Sequence, residues 1–213
     1  MIDFIDKDIL NYVESNSQNE PQLLKELNRE THLKVLNPRM LSGSYQGRLL
    51  SLISKIISPK SVLEIGTYTG YSALCIAEGL HKDGTIDTID INEELQNIQK
   101  KYFDKSGYEH KIFCHVGNAL EIIPKIDKFF DLVFLDADKE NYPAYFEMVI
   151  DKIVSGGILI SDNVLWSGKV IDKNSSDIAT KKLLEFNNMI NNDKRFETII
   201  IPVRDGLSVS RKI

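Results

Sequence analysis

The chain of 213 residues is 42% hydrophobic and 27% charged, which is enough apolar content for one sizeable core and predicts a single domain over 1–213. Its formal net charge of -5 argues against a nonspecific polyanion binder, because phosphate contacts need Lys and Arg concentrated on one face, and it favours a small-molecule substrate. The acidic start MIDFIDKDIL lacks the pattern of an export signal, and no run of about eighteen apolar residues occurs, so we expect a cytoplasmic protein without a membrane span.

The first quarter of the chain predicts helices. Two polar helices are expected over about 3–15 and 20–30, the second with Pro21 in its first turn, where the missing N–H costs little. The Asn-Pro pair at 37–38 then interrupts the helical pattern. A third helix over about 44–57 has apolar residues at helical spacing, which predicts one apolar face laid against a sheet: Leu49, Leu50, Leu52, Ile53, Ile56 and Ile57.

Strands and helices alternate from residue 60 onward. Seven short apolar runs predict strands: SVLEIG (61–66), TIDTID (85–90), KIFCHV (111–116), DLVFLD (131–136), GGILIS (156–161), FETIIIP (196–202) and GLSVSRK (206–212). The intervening helices are expected at 71–80, 92–105, about 141–153 and 177–192. This alternation predicts a doubly wound α/β fold, in which a mostly parallel sheet is covered by helices on both faces. Ligands of such sheets bind beyond the carboxyl ends of the strands, so functional residues should follow strand ends.

A glycine loop, LEIGTYTGYS, follows the first strand. Gly66 and Gly70 would let the backbone turn tightly and approach a ligand that a Cβ would repel. In the dinucleotide fingerprint G-x-G-x-x-G the first glycine stands where this chain has Glu64. A carboxylate would repel a pyrophosphate but attract the sulfonium and amine of S-adenosylmethionine, so charge favours the sulfonium cofactor.

Asp90 ends the second strand, where an acid can accept hydrogen bonds from ribose hydroxyls of either cofactor. The alternative is that the glycines only make a turn and that Asp90 caps the helix beginning near Asn92. Farther on, GNAL (117–120) follows the third strand, and a backbone N–H and the small Ala119 could flank an adenine there. Alone, such a tetrapeptide would usually be a turn.

Oxygen-bearing side chains follow two further strands. FDLVFLDADKENY ends its strand at Asp136, and Asp162 with Asn163 follows the next one. If these strands are neighbours, the three side chains converge at one edge, and two carboxylates with an amide oxygen suit Mg²⁺, with Mn²⁺ or Ca²⁺ as alternatives. Any one of them alone could be a helix cap. Lys139 could reach the same ligand as a general base, since a nearby cation disfavours the ammonium form; its alternative role is a solvated lysine at a helix start.

The motifs LEIGTYTGYSAL, TIDTID, GNAL, FDLVFLDADKENY and GGILISDNVLWSGKV together resemble the cation-dependent O-methyltransferases, the family of caffeoyl-CoA and catechol O-methyltransferases and their bacterial relatives. The resemblance covers roughly residue 37 to the C-terminus, and DADKxNY and DNxLWxG are its most selective parts. It implies a Rossmann-like seven-stranded methyltransferase sheet, mostly parallel with an antiparallel C-terminal strand. It also implies a homodimer, with the N-terminal helices (about 1–57) as lid or dimer element, although their apolar spacing could equally serve packing within the chain.

The resemblance also assigns roles to individual residues. The metal ligands would be Asp136, Asp162 and Asn163, and the catalytic residues Lys139 and Asp136. S-adenosylmethionine would be held by Ser42, Glu64, Gly66, Thr67, Tyr68, Ser72, Asp90, Asn118, Ala119 and Asp136. The substrate side would include Met40, Trp166 and Asp205, although Trp166 could instead be core and Asp205-Gly206 an ordinary turn. At Asp138 the chain departs from the animal catechol enzymes, which carry a tryptophan, and agrees with the plant and bacterial branch.

The implied reaction is methyl transfer from S-adenosylmethionine to a hydroxyl of a small aromatic acceptor, catechol-like or hydroxycinnamoyl-type. The helices before residue 60 and the loop at 167–177 are candidate lids over a dry site. Three alternatives remain open: a methyltransferase of a hydroxylated tRNA base, an NAD-dependent oxidoreductase, and a non-catalytic cofactor-binding or scaffold protein. A tRNA substrate would need a local basic patch, for which the sequence offers Arg48, Lys100, Lys101, Lys105 and Lys111.

The chain contains two cysteines, Cys75 and Cys114. Both lie inside apolar segments, and neither has a CxxC partner or a metal-ligand spacing. We therefore expect buried, reduced thiols rather than a disulfide or a zinc site.

Overall fold

The computed structural model of the protein describes residues 5–172 and 175–213. Its strands are β1 (Ser61–Ile65), β2 (Thr85–Asp90), β3 (Ile112–Val116), β4 (Phe130–Leu135), β5 (Ile153–Ser161), β6 (Phe196–Ile201) and β7 (Leu207–Lys212). They form one sheet in the order β3-β2-β1-β4-β5-β7-β6. Strands β1 to β5 pair in parallel, and β7 runs antiparallel to both β5 and β6. The predicted seven-stranded, mostly parallel sheet with an antiparallel C-terminal strand is confirmed.

Helices cover both faces of this sheet. They are α1 (Lys7–Ser15), α2 (Gln22–Lys34), α3 (Gly43–Ile57), α4 (Tyr71–Ala77), α5 (Gln96–Ser106), α6 (Ala119–Ile122), α7 (Tyr142–Val149) and α8 (Ile178–Asn192). One core cluster joins α7 and α8 to one face of the strands, and a second joins α2 to α5 to the other face. Strand side chains alternate between the two, so that Leu63 and Val133 belong to the first cluster and Val62 and Leu132 to the second. None of the helices in the described part of the chain is long and apolar enough to span a membrane.

Several boundaries differ from the sequence prediction. Helix α7 ends at Val149, and β5 begins at Ile153, three residues before the predicted start at 156. The strand continues through Gly156, whose φ is +81°. Its pairing with β4 shifts register between the pairs Phe130–Ile153 and Leu132–Ile158, which lie on either side of this glycine. The glycines therefore mark an irregularity within the strand, not its beginning. The four-residue helix α6 was not predicted; the side chain of Asn118 caps it by accepting from Leu120 N at 3.0 Å.

Helix α3 does not bury the apolar face that its sequence predicts. Leu50 is buried and three neighbours pack partly against the core, but Leu52 is 56% and Ile56 75% exposed. The buried face is instead mostly small or polar: Gln46, Gly47, Arg48, Leu50, Ser51 and Ser54. A Cβ on Gly47 would lie 2.7 Å from the ring of Tyr71 and 2.8 Å from Sγ of Cys75, so this glycine allows α3 to approach α4 closely.

The two cysteines differ in exposure. Cys75 is buried on α4, as predicted, whereas Cys114 is exposed, so the prediction for Cys114 was wrong. The reason is that β3 is an edge strand with little cover: its residues Phe113 and Val116 are exposed as well. Both thiols are free.

Candidate active site

A cleft of about 1500 Å³ lies at the carboxyl ends of β1, β2, β4 and β5, with the segment at 35–40 between α2 and α3 as its outer wall. Twelve of the predicted site residues line it: Met40, Gly66, Tyr68, Asp90, Asn118, Ala119, Asp136, Lys139, Asp162, Asn163, Trp166 and Asp205. All of them except Met40 lie at the ends of strands or in the segments that follow, and the sheet brings these to one edge. This is the location that the fold predicts for a ligand.

Asp136 and Asp162 lie side by side because β4 and β5 are adjacent and in register. Leu135 pairs with Ser161, and the N–H of Asp162 donates to the Leu135 carbonyl at 2.9 Å. Asp162 is only 4% exposed, and its burial together with the carboxylate of Asp136 holds its pKa well above the usual range. A cation between the two carboxylates would offset both the repulsion between them and the loss of hydration at Asp162.

Asp162 is held by a donor on each oxygen. Nε2 of Gln46 donates to Oδ2 at 2.6 Å, and the N–H of Asn163 donates to Oδ1 at 2.6 Å. Asn163 adopts φ +59°, a left-handed conformation in which asparagine is common, and this turn places it beside Asp162 at the cleft wall. Two carboxylates and one amide oxygen form the hard donor set that a small divalent cation accepts, so the residues fit such an ion. Within the described ranges, no three His, Cys, Asp or Glu side chains form a metal site by themselves.

Lys139 is buried, so its interpretation as a solvated surface lysine is wrong. Its side chain is 8% exposed, and Nζ donates to Oδ1 of Asp136 at 2.9 Å, to the Ala137 carbonyl at 2.8 Å and to the hydroxyl of Tyr142 at 2.9 Å. Tyr142 in turn hydrogen-bonds the Asp162 carbonyl at 3.0 Å. The amine is therefore fixed at the cleft wall beside both carboxylates.

The two glycines of the loop after β1 are required by protein packing. A Cβ on Gly66 would lie 2.0 Å from the carbonyl oxygen of Asp136, and φ at Gly66 is +104°. A Cβ on Gly70 would lie 2.6 Å from the ring of Phe103, with φ +88°. The sequence prediction gave ligand approach as the reason for these glycines. Gly66 does line the cleft, but its packing against the end of β4 already excludes any side chain.

Asp90 faces the cleft while it also organises the loops around it. Its Oδ2 accepts the N–H of Tyr68 at 2.6 Å, and its Oδ1 accepts the N–H of Asn92 at 2.8 Å. The helical turn that follows is capped by Asn92, whose Oδ1 accepts the N–H of Glu94 at 3.0 Å, so the alternative that Asp90 is the cap is wrong. Each carboxylate oxygen retains a further lone pair, so these contacts leave Asp90 able to accept hydrogen bonds from a ligand as well.

Four predicted cofactor residues do not line the cleft. Ser42 borders a smaller hollow on the other side of Arg204, and Glu64, Thr67 and Ser72 are buried behind the glycine loop. Glu64 accepts from Oγ1 of Thr88 at 2.5 Å, while its Oε1 has no hydrogen-bond partner among the described residues. Burial raises the pKa of Glu64 to about 8, so the carboxyl is mostly protonated at neutral pH.

The predicted substrate-side residues lie at the cleft wall. Trp166 is partly buried and packs against the core cluster of α7 and α8 while it also lines the cleft, and its Nε1 donates to Asp177 at 3.2 Å. Asp205 is 4% exposed and accepts the N–H of Ser167 at 2.5 Å, which ties the loop after β5 to the loop before β7. Met40 is 58% exposed. The candidate lid loop at 167–177 includes residues 173 and 174, which lie outside the described residues.

Sequence reasoning missed further residues of the site. Ile91 is 76% exposed at the cleft, and an isoleucine directly after the strand-end acid was a usable signal for it. Arg39 and Arg204 also line the cleft. Gln46 was missed because nothing in its sequence position on α3 indicates a contact 116 residues away.

The basic patch proposed for a tRNA substrate is largely neutralised. Lys100, Lys101 and Lys105 form ion pairs with Asp104, Glu30 and Glu26, respectively. Arg48 is buried and forms an ion pair with Glu78 at 2.7 Å, so it is not part of any surface patch.

The comparisons with known proteins cover almost the whole chain. A model of the O-methyltransferase family matches residues 14–213. The caffeoyl-CoA O-methyltransferase of Zinnia elegans is 37% identical over 208 residues, which cover 91% of this chain and 84% of the relative. The structure of the O-methyltransferase TomG from Streptomyces achromogenes, in complex with SAM, is similar with a TM-score of 0.88 and 27% identity over 96% of each chain. An O-methyltransferase from Bacillus cereus, in complex with SAH, matches with a TM-score of 0.84 and 27% identity over 97% of each chain.

Proposed function

The chain belongs to the O-methyltransferase family, and we propose that it is a cation-dependent member that transfers the methyl group of S-adenosylmethionine to a hydroxyl of a small aromatic acceptor. Catechol-like and hydroxycinnamoyl-type molecules are the proposed acceptors. The observation that supports this proposal is the convergence of Asp136, Asp162 and Lys139 at one wall of the cleft.

Asp136, Asp162 and Asn163 would hold the divalent ion, with Mg²⁺ the first candidate and Mn²⁺ or Ca²⁺ the alternatives. A free phenol has a pKa of about 10, and a bound divalent cation would lower that value and fix the orientation of two vicinal oxygens.

Lys139 is the proposed general base. Nζ lies within hydrogen-bond distance of Asp136 and of Tyr142, so the amine has little freedom to turn away from the cleft. It would take the proton of the acceptor hydroxyl as the neutral amine, a form that a neighbouring cation favours over the ammonium. Tyr142 and the Ala137 carbonyl fix the position at which that proton is held.

S-adenosylmethionine would occupy the part of the cleft next to β1 and β2. Asp90 would offer lone pairs to the ribose hydroxyls, and Asn118 with Ala119 would border the adenine; all three residues line the cleft. Glu64 lies behind this wall, and its carboxyl is mostly protonated at neutral pH in the protein alone. The positive charge of bound S-adenosylmethionine would favour its ionised form. The SAM complex of TomG and the SAH complex of the Bacillus cereus enzyme support this choice of cofactor.

We also propose the arrangement around the site. The whole chain would act as one cytoplasmic methyltransferase domain, and the segment at 35–40 would form a lid together with α2. The exposed side chains of Leu52 and Ile56 on α3 suit a homodimer contact of the N-terminal helices.

An activity screen with methyl-labelled S-adenosylmethionine tests the proposal. Catechols, hydroxycinnamoyl thioesters and tRNA that carries a hydroxylated base would be offered with Mg²⁺ and with EDTA. We expect labelled small-molecule product that requires the cation. Label in the tRNA would favour the nucleic-acid alternative, and full activity in EDTA would contradict the cation site.

A further inference from the structure

Gln46 connects the N-terminal helices to the proposed cation site. It is fully buried on α3, and its Nε2 lies 2.6 Å from Oδ2 of Asp162, 116 residues away along the chain. Asp162 is 4% exposed and lines the cleft, so the bond joins the interior of the protein to the cleft wall. Among the hydrogen bonds of the described residues, no other side chain donates to an oxygen of the Asp162 carboxylate.

The position of Gln46 is fixed by the helix that carries it. The next residue, Gly47, packs so closely against Tyr71 and Cys75 that α3 cannot rotate without a clash. On the same buried face, Oγ of Ser54 donates to the carbonyl of Ile76 at 2.7 Å. The amide of Gln46 is therefore presented to Asp162 by a rigid support.

A buried glutamine at this place is unfavourable for folding alone. Its Oε1 has no partner among the described residues, and an unpaired buried polar atom destabilises a protein. An apolar side chain of the same length would avoid that penalty. The amide group is consistent with a requirement for a donor at Oδ2.

The donor has a clear effect on Asp162. A carboxylate offers about four lone-pair positions. The N–H of Asn163 uses one on Oδ1 and Gln46 uses one on Oδ2, so the plane of the carboxylate is set from both sides. One position on each oxygen stays available to a further partner. Rotation of the carboxylate would break the bond to Gln46.

We propose that Gln46 is a positioning residue that fixes the carboxylate of Asp162 in the orientation required to bind a divalent cation. The inference rests on the proposed function, since it assigns Gln46 to the same cation site. It also gives the N-terminal helices a part in the chemistry, besides any role as a lid or a dimer contact.

The variant Gln46→Met tests this role, because methionine keeps the length of the side chain and removes the donor. The affinity for Mn²⁺ would be measured by electron paramagnetic resonance, and the affinity for S-adenosylhomocysteine and the melting temperature on the same samples. We expect Mn²⁺ affinity to fall roughly 10- to 100-fold, as for lost partners of metal ligands. The other two quantities should change little.

Two further variants separate the possible failures. Ser54→Ala removes a buried hydrogen bond from the same face of α3 but is remote from the carboxylates, so its Mn²⁺ affinity should equal that of the wild type.

Asp162→Asn tests the cation site itself. Equal Mn²⁺ binding by wild type and Asp162→Asn would overturn the proposed function and the inference with it. Loss of binding in Asp162→Asn with wild-type binding in Gln46→Met would overturn the role of Gln46 alone. A fall in Mn²⁺ affinity in Gln46→Met that is matched by loss of cofactor affinity would show a merely structural role.

Discussion

Nζ of Lys139 lies 2.9 Å from Oδ1 of Asp136, so the proposed base and a proposed cation ligand share a hydrogen bond in the cleft wall. The ammonium is the one positive group in contact with this carboxylate among the described residues. Asp136 also faces the buried carboxylate of Asp162. The cleft wall thus brings two acids and one amine together.

The variants Lys139→Met and Lys139→Arg test the base. Arginine keeps the positive charge but does not lose its proton, and methionine keeps neither. Both should lower kcat roughly 100- to 10,000-fold, because a general base contributes that much. Mn²⁺ and S-adenosylhomocysteine binding should persist in both. Rates would be measured with a saturating acceptor from the screen, and a fully active Lys139→Arg enzyme would rule out proton transfer to this side chain.

The variant Asp162→Ala tests the cation site by activity. It should abolish turnover and leave S-adenosylhomocysteine affinity within a few-fold of the wild type, because Asp162 belongs to the side of the cleft away from Asp90. The wild type treated with EDTA should lose activity in the same way and regain it when Mg²⁺ is added. Turnover by Asp162→Ala that still responds to Mg²⁺ would place the cation elsewhere.

The pH dependence of stability tests the state of Glu64. Its pKa is raised from 4.5 to about 8 by burial, so the folded protein holds a proton that the unfolded chain releases. This group therefore stabilises the fold fully below pH 4.5, and its contribution is lost as the pH rises through about 8. Urea unfolding without cofactor should show a smaller fall in unfolding free energy over that range for Glu64→Gln than for the wild type. Equal slopes would mean that Glu64 is ionised in the fold.

The variant Gly66→Ala tests the close contact between the glycine loop and the end of β4. An added Cβ would lie 2.0 Å from the Asp136 carbonyl oxygen, and the positive φ adds strain of about 1 kcal/mol or more. Gly107 is a matched control, since its φ is also positive, +76°, but its Cβ would meet nothing within 4 Å. Gly66→Ala should lower the melting temperature far more than Gly107→Ala. Similar falls in melting temperature for the two variants would mean that the positive φ, and not the contact with Asp136, causes the destabilisation.

Thiol labelling tests the exposure of the two cysteines. In the folded protein, Ellman's reagent should react with the exposed Cys114, but slowly, since partial loss of hydration at the sheet raises the pKa of this thiol to about 11 and little thiolate is present. Cys75 should react only after unfolding. In the variant Cys114→Ser, the folded protein should not react. Labelling of that variant under native conditions would mean that α4 opens readily.

The succession of strands along the chain was predictable because each one is a short run of strand-forming residues between turn signals. For β1, β2 and β4 this pattern was sufficient to predict both ends to within one residue. The start of β5 was not predictable, since Gly156 and Gly157 resemble a turn, and only the paired strand shows that the chain continues through them. The exposure of Cys114 also depends on sheet order, which places β3 at an edge. The sequence of a single segment does not show which strands will be its neighbours in the sheet.

The candidate site was predictable where its residues follow strand ends. Asp90, Asp136 and Asp162 were found in this way, and the parallel sheet brings them to one cleft. Gln46 and Arg204 were not found, because they approach from a helix and from a loop whose distance along the chain conceals the contact. The burial of Glu64 was also missed. The identity of an acidic residue does not show whether its side chain lines the cleft or is buried behind the cleft wall.

The position of β7 between β5 and β6 has a consequence for synthesis. As the chain emerges from the ribosome, β6 appears before β7, although β6 can join the sheet only through β7. Until residues 207–212 are available, the outer side of β5 is an open edge that could pair with another nascent chain. Strand β5, which Asp162 directly follows, is therefore the last part of the parallel sheet to gain its second neighbour, and competence for methyl transfer should arise late in folding.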